Sequence, residues 1–223
     1  IFGQRVSGDT GAEIGGDIRM FSNGGLGFDA SVLTAQSDIR LDGAELRFGS
    51  EDVNQTRTEL LAVDGGVTLR STTGDILNYG SLLQGKIATS GDLESQGGMT
   101  IYAAGDLLNR SLSTDRLAVA FGEEDDLLIE AGGEVRNETG RLFSNAGITI
   151  QAGGDILNET LFTAEAAPLA VTRSKGHRFA SSFFLKRTRN TRVSADFGDQ
   201  AIPGEQSFIL GIGAVSLAAQ YTL

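Results

Sequence analysis

Short alternating runs recur along the chain. Val67-Thr68-Leu69, Met99-Thr100-Ile101 and Ile148-Thr149-Ile150 each set a polar residue between two apolar ones. A period of two marks a strand with one buried face. The run Asp125-Asp126-Leu127-Leu128-Ile129-Glu130 is too short for a helix and fits a strand. Helical periodicity is weak throughout. Beside these runs a phrase returns: Gly or Ser, an acid, an aliphatic residue, any residue, then often Asn. Its acids are Asp17, Asp38, Asp75, Asp92, Asp106, Glu134 and Asp155, at intervals of 21, 37, 17, 14, 28 and 21 residues. Counting 37 as two turns gives a mean near 20.

Many short strands with a repeat near 20 predict coils stacked as parallel strands about 4.8 Å apart. The expectation is an all-β, right-handed parallel β-helix of about nine coils, a rod about 45 Å long. A β-sandwich is the competing fold. It favours hairpins with Asp-Gly turns, and Asp42-Gly43 and Asp64-Gly65 are such dipeptides. It does not account for the repeat.

The slot after the acid holds Ile18, Ile39, Ile76, Leu93, Leu107, Val135 or Ile156, always aliphatic and so inward. The next slot tolerates Arg and Glu and so faces out. The third slot faces inward again and holds Met20, Leu41, Asn78, Ser95, Asn109, Asn137 and Asn158. Asn78, Asn109, Asn137 and Asn158 are thus expected to stack as a buried ladder, each amide satisfying the next. Asn109, Asn137 and Asn158 also open glycosylation sequons, as does Asn54, but a buried ladder amide is a poor acceptor.

Composition agrees with turns and short strands. The 223 residues include 31 Gly and only 2 Pro. Cysteine is absent, which rules out disulfides and thiolate metal sites; this is compatible with a cytosolic protein and also suits a chain exported unfolded. The first residue is Ile, as expected of a piece of something longer. The net charge of −11 is uneven: residues 1–172 hold 11 basic and 26 acidic side chains, a balance of −15, and residues 173–223 hold 7 and 3, a balance of +4.

The phrases GITIQAGGDILNET, GGMTIYAAGDLLNRS and GGEVRNETGRLFSNAG resemble the repeats of the filamentous haemagglutinin family. That family comprises large bacterial exoproteins secreted by the two-partner route, among them adhesins and contact-dependent growth-inhibition effectors. The resemblance is clear over residues 60–160 and looser over 10–60. It implies a β-helical shaft, a secreted or cell-surface location, and an outer-membrane secretion partner during export. Residues 171–195 resemble the basic, Ser/Thr-rich insertion that interrupts such repeats, although this stretch is poorer in Thr and richer in Phe and Arg.

The expected organisation is therefore a shaft over 1–170, a basic hairpin insertion over 171–200 with its turn around 183–190, and a return to the shaft over 201–223. The insertion offers Arg173, Lys175, Arg178, Lys186, Arg187, Arg189 and Arg192, with Phe179, Phe183 and Phe184. Such a set suits acidic glycans or lipid head groups on a host or neighbouring cell. The alternative is that its cations only complement the acidic shaft. Nucleic acid and small-molecule substrates are not expected.

Other motifs point to scaffold. Gly80 to Lys86 fits GxxxxGK, but Ile87 stands where magnesium needs Ser or Thr. Gly24-Gly25-Leu26-Gly27-Phe28-Asp29 is one copy of a calcium repeat that works in tandem. Glu123 to Asp126 reads as a solvated run. His177, the only histidine, sits among cations with no nearby acid, which argues against a triad or a zinc site. Asp75, Asp106 and Asp155 are placed to bond local amides and set turns, although paired carboxylates also serve glycosidases. The expectation is a non-enzymatic shaft without cofactor or metal that presents an adhesive tip or a toxin. Alternatives are a translocation stalk of a growth-inhibition effector and a polysaccharide-active enzyme.

Overall fold

The computed structural model describes residues 16–88, 98–160, 170–177, 189–196 and 206–220. Asp92, Leu93 and Ser95 of the repeated phrase lie outside them. Two compact units make up the chain: Ile1–Leu161 with Gly204–Leu223, and Phe162–Pro203.

The first unit is a right-handed parallel β-helix with three strands per coil. Coil one is β1 (Ile18–Phe21), β2 (Leu26–Phe28) and β3 (Val32–Ala35). Coil two is β4 (Ile39–Gly43), β5 (Leu46–Phe48) and β6 (Glu59–Ala62). Coil three is β7 (Val67–Ser71), β8 (Ile76–Tyr79) and β9 (Leu82–Gly85). Coil four is β10 (Met99–Ala103), β11 (Leu107–Arg110) and β12 (Val119–Gly122). Coil five is β13 (Leu127–Ala131), β14 (Val135–Glu138) and β15 (Arg141–Ser144). Coil six begins with β16 (Ile148–Ala152) and β17 (Ile156–Glu159). The second unit follows in sequence with β18 (Ala170–His177) and β19 (Arg189–Asp196). Then β20 (Phe208–Gly211) completes coil six and β21 (Val215–Ala219) opens a seventh.

First strands stack into a seven-stranded sheet, and second and third strands into six-stranded ones. Among the described residues there is no helix. Seven rungs span about 29 Å at 4.8 Å each, less than the nine coils expected. The reason is coil length. Successive first strands, aligned at Ile18, Ile39, Val67, Met99, Leu127 and Ile148, are 21, 28, 32, 28 and 21 residues apart. The repeat near 20 belongs to coils with tight corners. Loops 49–58 and 111–118 lengthen others.

Columns of like residues fill the core. One runs Ile18, Ile39, Val67, Met99, Leu127, Ile148; another Met20, Leu41, Leu69, Ile101, Ile129, Ile150. From Ile39 and Leu41 on, these are at most 1 % exposed. Each contributes about 1.5–3 kcal/mol by leaving water, before the entropy of ordering it. The columns continue to Val215 and Leu217, which are 46 % and 52 % exposed because no described strand stacks beyond β21.

The register corrects the repeat alignment. Ile18 and Ile39 belong to the first sheet, Ile76, Leu107, Val135 and Ile156 to the second. Two different corners carry the same Gly-Asp-aliphatic phrase, so the phrase cannot tell the faces apart. Met20 and Leu41 are core residues of the first sheet and do not precede the asparagines.

In the second unit β18 and β19 pair antiparallel, from Ala170 opposite Asp196 to His177 opposite Arg189. The expected turn at 183–190 reaches into β19, which already holds Arg189 and Asn190. The rest of that turn lies outside the described residues.

Candidate functional site

The second sheet carries the asparagine ladder. Asn78 donates from Nδ2 to Asn109 Oδ1 at 2.8 Å, Asn109 to Asn137 at 2.7 Å, and Asn137 to Asn158 at 2.7 Å. All three bonds point the same way. The remaining amide hydrogens reach corner carbonyls: Asn78 to Ser81 at 3.2 Å and Asn137 to Gly140 at 3.0 Å. Ser81 N–H closes the start by donating to Asn78 Oδ1 at 3.0 Å. Asn78, Asn109 and Asn137 are buried. Asn158 is not: it is exposed, contrary to expectation, because β17 is the edge strand of its sheet. Ser207 Oγ caps it at 2.6 Å. Of the four sequons, the two at Asn54 and Asn158 are therefore on the surface.

The corner acids serve as ties between coils. Asp106 N–H donates to Asp75 Oδ1 at 2.8 Å, and Glu134 N–H to Asp106 Oδ1 at 2.7 Å. At the first-sheet corner Gly66 N–H donates to Asp38 at 2.8 Å and Gly147 N–H to Asp126 at 2.7 Å. The partner is an amide of the next coil, not a local one as expected. It also accounts for the glycine of Gly-Asp. A Cβ on Gly133 would lie 1.9 Å from Asp106 Oδ1, and one on Gly105 2.2 Å from Asp75 Oδ1.

The acidic run does not converge. Glu123 accepts from Gln84 at 2.8 Å, Glu124 lies 3.6 Å from Lys86, Asp125 accepts from Ala88 N–H at 3.1 Å, and Asp126 ties Gly147. Asp29 of the single calcium-like phrase is held by both Nη atoms of Arg47 at 2.9 Å. The GxxxxGK stretch becomes β9, and Lys86 pairs with Asp64 at 3.3 Å. Asp64 and Glu124 together hold the Lys86 ammonium protonated beyond its ordinary range.

Two charged residues without a sequence signal fasten the shaft. Arg116, 4 % exposed, lies on loop 111–118. It donates to Tyr79 O at 3.2 Å, to Asp52 O at 3.2 Å, and to Gln55 O. It thus ties coil four across coil three to the loop of coil two. Glu138, 1 % exposed, accepts from Arg110 and lies 3.0 Å from Arg136. The bond to Glu138 raises the Arg110 pKa above its ordinary value. Burial is the main cause that lowers Arg57, with Arg116 and Arg141 nearby adding to it.

Of the basic segment, Arg173 and Lys175 fall on β18, and Arg189 and Arg192 on β19, where Lys175 stands opposite Thr191 and Arg192 opposite Ser174. Arg178, Phe179, Phe183, Phe184, Lys186 and Arg187 lie outside the described residues.

One open trench runs along the first sheet. Its lining includes Ser71, Ala103, Ala131 and Ala152, whose side chains are buried on the inner side of the sheet, the three alanines in the core. Its wall is the outward register Arg70, Tyr102, Glu130, Gln151, one side chain per coil. It encloses about 600 Å³. These wall residues end the alternating runs of the sequence, VTLR, MTIY, LLIE and ITIQ. Reading the outward positions of those runs in register would have found them.

The class is thus a solenoid: a parallel β-helix whose corner acids and inward amides are committed to stacking. No family model, curated protein or solved structure matches the chain.

Proposed function

We propose that this chain is a non-enzymatic shaft of a large secreted bacterial exoprotein of the filamentous haemagglutinin kind. The observation that supports the reading best is the commitment of the repeated acids. Asp38, Asp75 and Asp106 of the repeat, and Asp126 beside them, each accept an amide of the next coil, so these carboxylates serve stacking instead of forming the one-off pair that glycoside hydrolysis uses. A rod of register-locked coils transmits position along its axis, because each coil touches only its neighbours. Tip or toxin, the cargo rides on the same shaft.

In this reading the chain crosses the outer membrane through a dedicated secretion partner, and the absence of cysteine suits that passage. The basic segment 171–195 then meets acidic glycans or lipid head groups on a host or neighbouring cell.

The test is cell-surface display. The parent protein is expressed with and without its outer-membrane partner, and an antibody against residues 16–160 is applied to intact cells. Labelling that depends on the partner is the expected result. Retention of the protein inside the cell in both cases would overturn the proposal, as would release of reducing ends from a polysaccharide panel.

A further inference from the structure

We infer that the trench walled by Arg70, Tyr102, Glu130 and Gln151 binds a neutral, extended glycan chain laid along the shaft axis. This does not rest on the shaft reading: it concerns one face of the β-helix, and either could fail alone.

Three observations choose the occupant. The first is spacing. The wall presents one side chain per coil in strict register, Arg70 beside Tyr102, Tyr102 beside Glu130, and Glu130 beside Gln151. Rungs repeat at about 4.8 Å. That is close to the advance of one pyranose in an extended chain. A peptide strand advances about 3.3 Å per residue and repeats its facing every second residue, so it falls out of step with the wall.

The second is chemistry. A phenol ring, a carboxylate, a carboxamide and a guanidinium form the set that grips sugars. The ring offers an apolar face to the C–H side of a pyranose, and the others exchange hydrogen bonds with hydroxyls. Tyr102 is half-buried and stands between the exposed Arg70 and Glu130. The third is charge. The lining holds one cation, Arg70, and one anion, Glu130. On the next rung back, Asp42 is held by Arg40 at 2.7 Å. A wall of no net charge on an acidic shaft selects against an acidic glycan.

From Arg70 to Ala218 the trench crosses five coils, four spacings, or about 19 Å. That is room for about a tetrasaccharide. With Glu130 as the single carboxylate of the lining, where glycosidases use two, the trench holds a chain without cutting it.

The experiment is calorimetric titration of the 223-residue chain with β-1,4-linked glucose and N-acetylglucosamine oligomers, from disaccharide to hexasaccharide, and with heparin as the acidic control. Affinity is expected to rise with length and level off near the tetrasaccharide. Tyr102→Ala should weaken binding about tenfold or more, and Glu130→Gln should weaken it less, with unfolding transitions unchanged in both variants. No binding of any neutral oligomer would overturn the inference. So would binding that Tyr102→Ala leaves intact, or shortening of the oligomers on incubation.

Discussion

Phe48 and Asn78 occupy the same inward register position on adjacent coils of the second sheet. Below Phe48 stands Phe28, its ring stacked at 5.4 Å with the planes 11° apart. Above Asn78 stand Asn109, Asn137 and Asn158. One column thus changes from aromatic stacking to an amide ladder between coils two and three. Both solutions keep the slot satisfied: rings by face contact, amides by passing hydrogen bonds upward.

The ladder predicts a graded cost. Asn109→Ala removes the acceptor of Asn78 and the donor to Asn137, both buried, and should cost about 1–3 kcal/mol for the stranded groups, plus the loss from a new cavity. Asn158→Ala touches an exposed, terminal rung and should cost clearly less. Urea unfolding of the two variants checks the order. Asn109→Asp is the sharper probe. A carboxylate cannot donate to Asn137 Oδ1, so it should destabilise at neutral pH more than its small change in shape suggests.

The corner acids predict coupling. Gly133→Ala drives a Cβ into Asp106 Oδ1, so the carboxylate must turn away and give up its bond from Glu134 N–H. Substantial destabilisation is expected. Asp106→Ala alone loses the 2.7 Å bond from Glu134 N–H. Combined, the two should cost less than their sum, since removing the carboxylate makes room for the methyl. A double-mutant cycle by thermal or urea unfolding measures this. Additive losses would show that the carboxylate does not set the glycine.

How much of this was legible follows from the same residues. The alternating runs and the Gly-Asp phrase gave the strands and the β-helix, because period-two burial and tight corners are local. The ladder was legible too. An inward Asn must find a polar partner, and a like residue at the same slot of the next coil supplies one. Register was not legible. Gly-Asp precedes strands at two corners, so Asp17 and Asp38 align with Asp75 in sequence although they tie a different sheet. Loop lengths hid the coil count. Arg116 was invisible because its partners lie 36 to 66 residues away, and Glu138 because Arg110, which donates to it, lies 28 residues away; a charge in sequence does not announce burial. The trench wall was in plain view, one residue beyond the last core position of each run, but only register makes it a wall.

The Arg116 clamp predicts a local loss. Replacing it with Met keeps the apolar stem but removes the guanidinium's hydrogen bonds to the carbonyls of Tyr79, Asp52 and Gln55. Loop 49–58 should then open before the shaft unfolds. Limited proteolysis near Gln55 is expected to quicken severalfold while strand content holds. Arg116→Lys should rescue little. An ammonium is a compact donor and cannot span carbonyls of two coils as a guanidinium fork does. Equal cleavage of wild type and Arg116→Met would show that the clamp does not hold this loop.

Tyr79 supplies the pH prediction. Burial lifts its phenol above the ordinary value of 10.0, and the nearby Glu51 charge adds to this. The folded chain therefore holds this proton more tightly than the unfolded one. The contribution is fully present below about pH 10 and is lost as pH rises through the folded-state value. Stability should thus fall with alkaline pH beyond that point more steeply in wild type than in Tyr79→Phe, which has no proton to lose. Urea unfolding of both across the alkaline range reads the difference, and phenolate absorbance locates the late ionisation. Glu51→Gln removes the charge but not the burial, so it should move the ionisation only part of the way back. Parallel curves for wild type and Tyr79→Phe would refute the assignment.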